Sequence, residues 1–318
     1  MKIYGKSGLK KRLDDITAKG RLSHAVLFSG EAGAGKKTLA RYTAELFMCE
    51  DRVHPACGEC SVCRNIENGV HPDVIFVKER CEGKYSSEAL REVLSDTVVR
   101  PNNGGVKVYV FEECDTMRPE HQNALLKLIE EPAEYLRFVF TCESTSVVLE
   151  TILSRVTEFE VPNTPIDECK RALIDGGVDE AKAGELSEMF AGNIAKCKAV
   201  LDGGDEAALI ETARKAAAAL GKRDKLGLAA ALSEAQQLKR AAFGQTLSYL
   251  SRMIRDALAV KCGGEAEFFG KAESKTIAAA FSEDELLNIL DVLFEIAKNE
   301  IYNINIALTA AYFTSRIM

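Results

Sequence analysis

The segment 30–37, GEAGAGKK, contains residue types that can hold a chain of phosphates. It matches the phosphate-binding pattern GxxxxGK[ST] at every fixed position except the last. Gly30, Gly33 and Gly35 allow backbone N–H groups to turn inward around phosphate oxygens, and Lys36 supplies a positive charge. Because the segment follows the apolar run AVLFS and precedes a helical pattern, we expect a true phosphate loop.

The residues that would bind Mg²⁺ beside this loop are altered at two positions. The loop ordinarily ends in a hydroxyl that ligates the metal, but Lys37 stands there and Thr38 comes one residue too late. The apolar segment KVYVFEE (107–113) should end in Asp-Glu, but it has Glu112 followed by Glu113. Glu113 either orients a water or, with Glu112, simply ends the strand. The pattern predicts a loop that binds ATP, ADP or a phosphate-like anion without turnover, or an empty loop.

Four cysteines follow the loop with the spacing of a metal site. The cluster is Cys49-x7-Cys57-x2-Cys60-x2-Cys63. Four thiolates can surround one tetrahedral ion, and they leave no open coordination position, which predicts a structural Zn²⁺ site rather than four free cysteines. His54 and His71 are near in sequence, but four thiolates already complete the coordination.

One arginine in the segment TILSRV (151–156) has two possible roles. Arg155 either bonds the last carbonyls of a helix, or presents its guanidinium to the γ-phosphate held by a neighbouring subunit. The residue chemistry alone leaves both open.

Length and composition describe an ordinary globular chain. Its 318 residues predict two or three domains, and 47% hydrophobic with 28% charged residues suffices for sizeable cores. The net charge of −7 argues against a stand-alone nucleic-acid-binding protein. No apolar run approaches the ~18 residues that cross a bilayer, and the N-terminus lacks a signal-peptide pattern, so we expect a cytoplasmic protein with no membrane partner.

The elements that must position these residues change character at Pro165. Before it, buried strands are predicted at 25–30, 73–77, 107–113 and 137–142. Helices are predicted between them at 36–48, 87–99 and 119–131. This alternation predicts a doubly wound parallel α/β sheet, with the phosphate loop after its first core strand.

After Pro165 only helical patterns occur. Three short helices are predicted at 166–175, 179–190 and 193–202, with a hinge at 202–205. A bundle is predicted from 205–220, 224–239, 243–261, 283–298 and 300–317.

Taken together, the motifs resemble those of the clamp-loader subunits of bacterial DNA polymerase III, and most specifically the delta prime type. The resemblance rests on RLSHAVLFSG before the loop, the cysteine knuckle, HPDV (71–74), NALLKLIEEP (123–132) and TILSRV, all in one order. It implies an AAA+ fold: a nucleotide-binding-like domain with the zinc module (1–163), a three-helix lid (164–204) and a helical collar that joins subunits (205–318).

The resemblance also assigns roles to residues. It implies that the four cysteines bind zinc, that Arg155 is an arginine finger for the adjacent motor subunit, and that Thr141 lies near the residue that senses the γ-phosphate. Val156 replaces the Cys of the family's Ser-Arg-Cys motif. The arginine that hydrolysing relatives carry three residues after a lid glycine is missing, because Ala195 holds that position after Gly192.

We therefore expect a subunit that is not an enzyme by itself. It would join motor (gamma/tau) and delta subunits in a hetero-oligomeric ring that loads the sliding clamp on primed DNA. The alternatives are an ATP-hydrolysing gamma/tau-type motor subunit and a zinc-knuckle DNA-binding protein.

Overall fold

A computed structural model of the chain describes residues 3–51, 53–77, 80–81, 84–102, 105–203, 205–234, 240–266, 271–299 and 306–317. Contacts divide it into two compact units, Met1–Cys169 and Lys170–Met318. The division into three domains stays a prediction, and the predicted hinge includes residue 204, which lies outside the described residues.

The first unit contains a five-stranded parallel sheet. Its spatial order is β2-β5-β6-β1-β7. These strands are β1 Ala25–Ser29, β2 Val74–Val77, β5 Lys107–Phe111, β6 Leu136–Cys142 and β7 Thr157–Glu160. β1 and β5 are buried at every position, because helices cover both faces of the sheet. The predicted parallel α/β sheet is confirmed.

Three short strands were not among those predicted. β3 Arg80–Cys81 and β4 Lys84–Tyr85 form an antiparallel hairpin. β7 is an edge strand in which only Phe159 is buried. A search for continuous apolar runs misses it, because an edge strand keeps polar side chains at alternate positions.

The described residues before Ile166 also form six α-helices. They are α1 Ser7–Ala18, α2 Lys36–Met48, α3 Ser61–Glu67, α4 Ser87–Asp96, α5 Pro119–Glu130 and α6 Glu150–Leu153. The hydroxyl of Ser86 accepts a hydrogen bond from the N–H of Ala89 and caps α4. Pro119 begins α5, as predicted. One face of the sheet packs around the stacked rings of Phe111 and Phe140, 5.1 Å apart.

The rest of the described chain is helical. Its helices are α7 Ile166–Asp175, α8 Glu180–Met189, α9 Ile194–Leu201, α10 Asp205–Gly221, α11 Lys225–Glu234, α12 Arg240–Lys261, α13 Lys271–Ala280, α14 Glu283–Asn299 and α15 Ile306–Ile317. α13 was not predicted, because its sequence KAESKTIAAA has few large apolar residues. Two predicted helices extend over 235–239 and 300–305, which lie outside the described residues. None of the described helices is long and apolar enough to span a bilayer.

Candidate functional site

The phosphate loop lies at the carboxyl end of β1, where neighbouring parallel strands also end. Ser29 pairs in register with Cys142, the last residue of β6. The loop leaves the sheet at Gly30, where a Cβ would stand 2.4 Å from the carbonyl oxygen of Val161, so only glycine fits without a shift. Gly35 has a left-handed φ of 97° and is the N-terminal cap of α2. Ligands of open α/β sheets bind at such strand ends.

Lys36 is buried, and its ammonium lies on the backbone of its own loop. Its Nζ donates to the carbonyl oxygens of Gly30, at 2.6 Å, and of Glu31, at 2.8 Å. Burial lowers the pKa of Lys36, while the negative charges of Glu143 and Asp115 oppose that shift. The loop geometry and its central charge are therefore those that the pattern predicts.

Lys37 reaches the two acidic residues that follow β5. Its Nζ lies 2.9 Å from Oε2 of Glu112 and 3.4 Å from Oε1 of Glu113. The hydrogen bond to Glu112 is the main reason why the pKa of Lys37 is raised above its ordinary value, so the ammonium is charged at neutral pH. The two altered positions are thus in contact with each other. Thr38 follows in the first turn of α2 and is partly buried.

Thr141 supports the turn that carries these acids. It is fully buried in β6, and its hydroxyl accepts a hydrogen bond of 2.9 Å from the N–H of Glu113. Glu113 has a left-handed φ of 56°, which is uncommon for a residue with a side chain. Thr141 therefore stands beside the loop's acidic partners, and its role toward a phosphate stays a prediction.

Two further acids at this edge were not identified from the sequence. A carboxylate oxygen of Asp115 accepts the N–H of Glu143 at 2.9 Å, and both residues act on Lys36. Glu143 directly follows β6, and Asp115 lies four residues after the end of β5, so nearness to a strand end is the signal that would have found them. Lys6 was also missed: it is buried beside Gly35, and its ammonium donates to the carbonyl of Pro162.

The four predicted zinc ligands come together. The sulfur atoms of Cys49, Cys57, Cys60 and Cys63 all lie within 4.8 Å of one another. Those of Cys49 and Cys57 are 3.6 Å apart. Four sulfurs bound at ~2.3 Å to one tetrahedral Zn²⁺ would stand about 3.8 Å apart, so this donor set fits a zinc ion.

Backbone N–H groups donate hydrogen bonds to two of these sulfurs, which favours their negatively charged form. Sγ of Cys57 accepts the N–H of Cys60, and Sγ of Cys60 accepts the N–H of Cys63, each at 3.4 Å. Burial alone would raise the pKa of the Cys60 thiol, but donors such as the N–H of Cys63 bring it to about 7. Burial raises the pKa of Cys63. Removal of that proton requires a strong partner such as a metal.

Neither nearby histidine belongs to the cluster. His54 is exposed and lies 3.7 Å from a carboxylate oxygen of Asp51. His71 is buried, and its Nδ1 accepts the N–H of Asp73. The sulfur-only donor set is the one that the sequence predicts.

Arg155 lies apart from the loop, just after α6. Its Nη1 donates to the carbonyl of Thr151 at 2.8 Å and to the hydroxyl of Ser154 at 2.9 Å. Its Nε lies 2.9 Å from Oε1 of Glu130, and its side chain is 38% exposed. The helix-end contact is therefore present, together with an ion pair to α5 that sequence reasoning missed.

The family model described as "DNA polymerase III, delta subunit" matches residues 5–165, which include the sheet, the loop, the cysteine cluster and Arg155. The chain belongs to this family. The expected fold class, an AAA+-type P-loop α/β domain with a helical C-terminal region, agrees with this membership and with the parallel sheet.

A relative named as a delta' subunit and relatives named as gamma or tau subunits both resemble the chain. The delta' subunit of Bacillus subtilis is 36% identical over 149 residues, 46% of this chain and 44% of its own length. The tau/gamma subunit of Haemophilus influenzae is 38% identical over 142 residues, 44% and 20% of the two chains. The gamma subunit of Buchnera aphidicola from Schizaphis graminum is 31% identical over 161 residues, 50% and 44%. The chain thus spans less than half the length of these relatives.

Among solved structures, a gamma subunit-related protein of Thermotoga maritima aligns with 99% of this chain and 100% of its own, at 17% identity and a TM-score of 0.49. The names of the relatives include both gamma/tau and delta' subunits, so family membership alone does not separate the two types.

Proposed function

We propose that this chain is a delta prime-type subunit of the DNA polymerase III clamp loader. It hydrolyses no ATP by itself, and it supplies Arg155 to the ATP site of a neighbouring gamma/tau-type motor subunit. With motor and delta subunits it forms a hetero-oligomeric ring that loads the sliding clamp on primed DNA. The observation that carries the proposal is the contact of Lys37 with Glu112 at 2.9 Å.

That contact lies where the metal of a hydrolysing site would be held. In P-loop ATPases, Mg²⁺ is bound by the hydroxyl after the loop lysine and by the acid at the end of the second strand. Here those two positions are Lys37 and Glu112, and an ammonium stands between the loop and the acid. Phosphoryl transfer depends on the metal to neutralise charge on the β- and γ-oxygens, so this arrangement favours a subunit without turnover.

A second feature, in the predicted lid, also favours a subunit that does not hydrolyse ATP. The position of the lid arginine is taken by Ala195, in the first turn of α9. Asn193 caps that helix, because its side chain accepts the N–H of Lys196 at 3.2 Å. The residues after Gly192 therefore serve the helix itself.

The surroundings of Arg155 support a role outside this chain. The guanidinium is held by an acid on one side and a helix carbonyl on the other, yet more than a third of the side chain is exposed. A finger needs both a fixed direction and access to another subunit. Among the described residues, Nη2 of Arg155 has no hydrogen-bond partner, so it is open to a phosphate oxygen.

The second candidate is an ATP-hydrolysing motor subunit, which the 31–38% identity to gamma and tau subunits favours. The two candidates differ in the turnover of the purified chain. A motor subunit should hydrolyse ATP at ~1 s⁻¹ or faster, in the usual enzyme range, whereas we expect none above background. Salt-sensitive DNA binding by the isolated chain would instead support the DNA-binding alternative.

The test of Arg155 uses a loader reconstituted with motor subunits, delta subunit and clamp. Arg155→Ala should leave assembly unchanged, lower clamp-stimulated ATPase by the share of one site, and lower clamp loading more strongly, because fingers are worth ~10³–10⁵ in rate at their own site. Arg155→Lys should rescue little, since lysine lacks the planar fork. Arg91→Ala, at an exposed arginine of α4, is the matched control. Normal clamp loading by Arg155→Ala would make this residue a helix-end residue only.

A further inference from the structure

The site beside the phosphate loop does not offer the ligands that Mg²⁺ needs. The metal requires about six oxygens near ~2.1 Å and gains nothing from an ammonium. At this site the ammonium of Lys37 is already hydrogen-bonded to Glu112 at a length of 2.9 Å, typical of a charge-assisted bond. A divalent cation there would have to displace Lys37 against electrostatic repulsion. The site therefore fits a singly charged ammonium better than a divalent metal ion, and Lys37 provides that ammonium.

The part of the loop that would hold phosphates is intact. Gly33 and Gly35 have φ values of 83° and 97°, the conformation that turns backbone N–H groups into the loop. The N-cap residue of α2 is Gly35. Because glycine has no side chain, no capping side chain covers the first N–H groups of the helix. The cradle thus fits a chain of phosphates even though the metal position does not fit a metal.

We propose that the ammonium of Lys37 takes the place of Mg²⁺, so that the loop binds a nucleoside polyphosphate without a divalent cation. The Lys37 side chain is 58% exposed, which leaves it room to contact an anion while it remains near Glu112, whose side chain is 11% exposed. This inference deepens the proposed non-hydrolysing role and rests on it for the absence of turnover. It makes nucleotide a structural ligand of this subunit.

The local charge makes Lys37 necessary for binding. The carboxylates that act on the two loop lysines include Glu112, Glu113, Asp115 and Glu143. Without Lys37, the charges of Lys36 and of Lys6 beside Gly35 would face these carboxylates, and a polyphosphate would be repelled. One ammonium carries half the charge of Mg²⁺, so binding should be weaker than at an ordinary Mg²⁺-dependent loop.

The test is calorimetric titration of the full chain with ATP and with ADP, once in excess EDTA and once in excess Mg²⁺. The dissociation constant should differ by less than about threefold between the two conditions. Lys37→Gln should weaken binding by about tenfold or more in EDTA, because it removes the charge and leaves a polar side chain only one atom shorter. Lys11→Gln, at an exposed lysine of α1, should bind as the unchanged chain does.

A double substitution reverses the proposed exchange of lysine for metal. Lys37→Thr with Glu112→Asp rebuilds the hydroxyl and acid of a metal site, so its ATP binding should become about tenfold tighter in Mg²⁺ than in EDTA. Thermal unfolding of each variant checks that the fold is retained.

Three results would overturn the inference: no binding of ATP or ADP by the unchanged chain in EDTA, binding that requires Mg²⁺, or unchanged binding by Lys37→Gln. None of these results touches the role of Arg155, which acts on the nucleotide of another subunit. Failure of the arginine test, in turn, would leave the binding result standing. The two proposals can therefore fail separately.

Discussion

Helix α2 carries a different kind of polar site at each end. Its N-terminus follows the phosphate loop, and its C-terminal cap is Cys49, the first residue of the cysteine cluster. At the cysteine end, the side chains offer only sulfur ligands, and their arrangement fits a cation from outside the chain. At the loop end, Lys37 and Glu112 have opposite charges and satisfy each other.

The difference shows what each site needs from outside the chain. Four sulfurs at mutual distances within 4.8 Å are costly to bring together as thiolates unless a cation binds them. An ammonium and a carboxylate need no third partner. The same helix therefore joins four thiols whose geometry fits a metal ion to a site in which an ammonium is already paired with the acid.

The largest effect is expected when one sulfur of the cysteine cluster is removed. The unchanged chain should contain about one Zn²⁺, and Cys60→Ser should lose it together with a large part of the stability of the first unit, because small zinc modules bind the ion with about 10–16 kcal/mol. Metal analysis and thermal unfolding measure the two effects. Cys262→Ser, at an exposed cysteine in the second unit, is the control and should change neither. A metal-free chain with four titratable thiols and the same melting temperature would break the contrast.

A buried acid between the two ends gives an effect of intermediate size. Burial raises the pKa of Glu45 in α2 to about 7 from 4.5, and Glu67 and Cys57 add repulsion. The folded-state pKa is the higher one, so the contribution of Glu45 to stability is full below about pH 4.5 and is lost as the pH rises through about 7.

Glu45→Gln should therefore raise the free energy of unfolding by about 2 kcal/mol near pH 8, with a gain that shrinks toward pH 5. Denaturant titrations at several pH values measure the change. Glu160→Gln, at an exposed glutamate of β7, should show no such trend. A pH-independent effect of Glu45→Gln would mean that the ionised acid is already well solvated beside the cysteines.

The smallest effect concerns the pair at the loop end. A double-mutant cycle with Lys37→Met and Glu112→Gln should give a coupling energy of about 1 kcal/mol, because Glu112 is nearly buried. The matched pair Lys182 and Glu185, 3.0 Å apart and about half exposed on both sides, should couple more weakly. Equal coupling in the two pairs would mean that the loop-end contact is an ordinary surface ion pair.

Much of the fold is visible in the sequence, since it depends on local patterns. Continuous apolar runs identify β1 and β5, because strands covered on both faces have no polar side. The sequence predicts that α4 ends at 99, but the helix ends three residues earlier, at Asp96. Helix ends depend on a few hydrogen bonds and leave little trace in the pattern of apolar residues.

Some residues of the candidate site can likewise be predicted from the sequence, and others cannot. The cysteine cluster and the phosphate loop follow from spacing alone, because their residues lie within a few positions of one another and the backbone of each turn brings them together. Lys6 gave no signal, since a lysine near the start of a chain is ordinarily solvated, and only the structure buries it beside the loop.

What the sequence by itself determined is the set of groups: a glycine loop, four thiols, two strand-end acids and one arginine. Only the tertiary structure decided which of them meet. Lys37 reaches Glu112 across 75 positions because β1 and β5 both flank β6 and end at the same edge of the sheet. Arg155 meets Glu130 because α5 and α6 pack together. Strand order and helix packing are properties of the whole core, so no local spacing encodes these pairs.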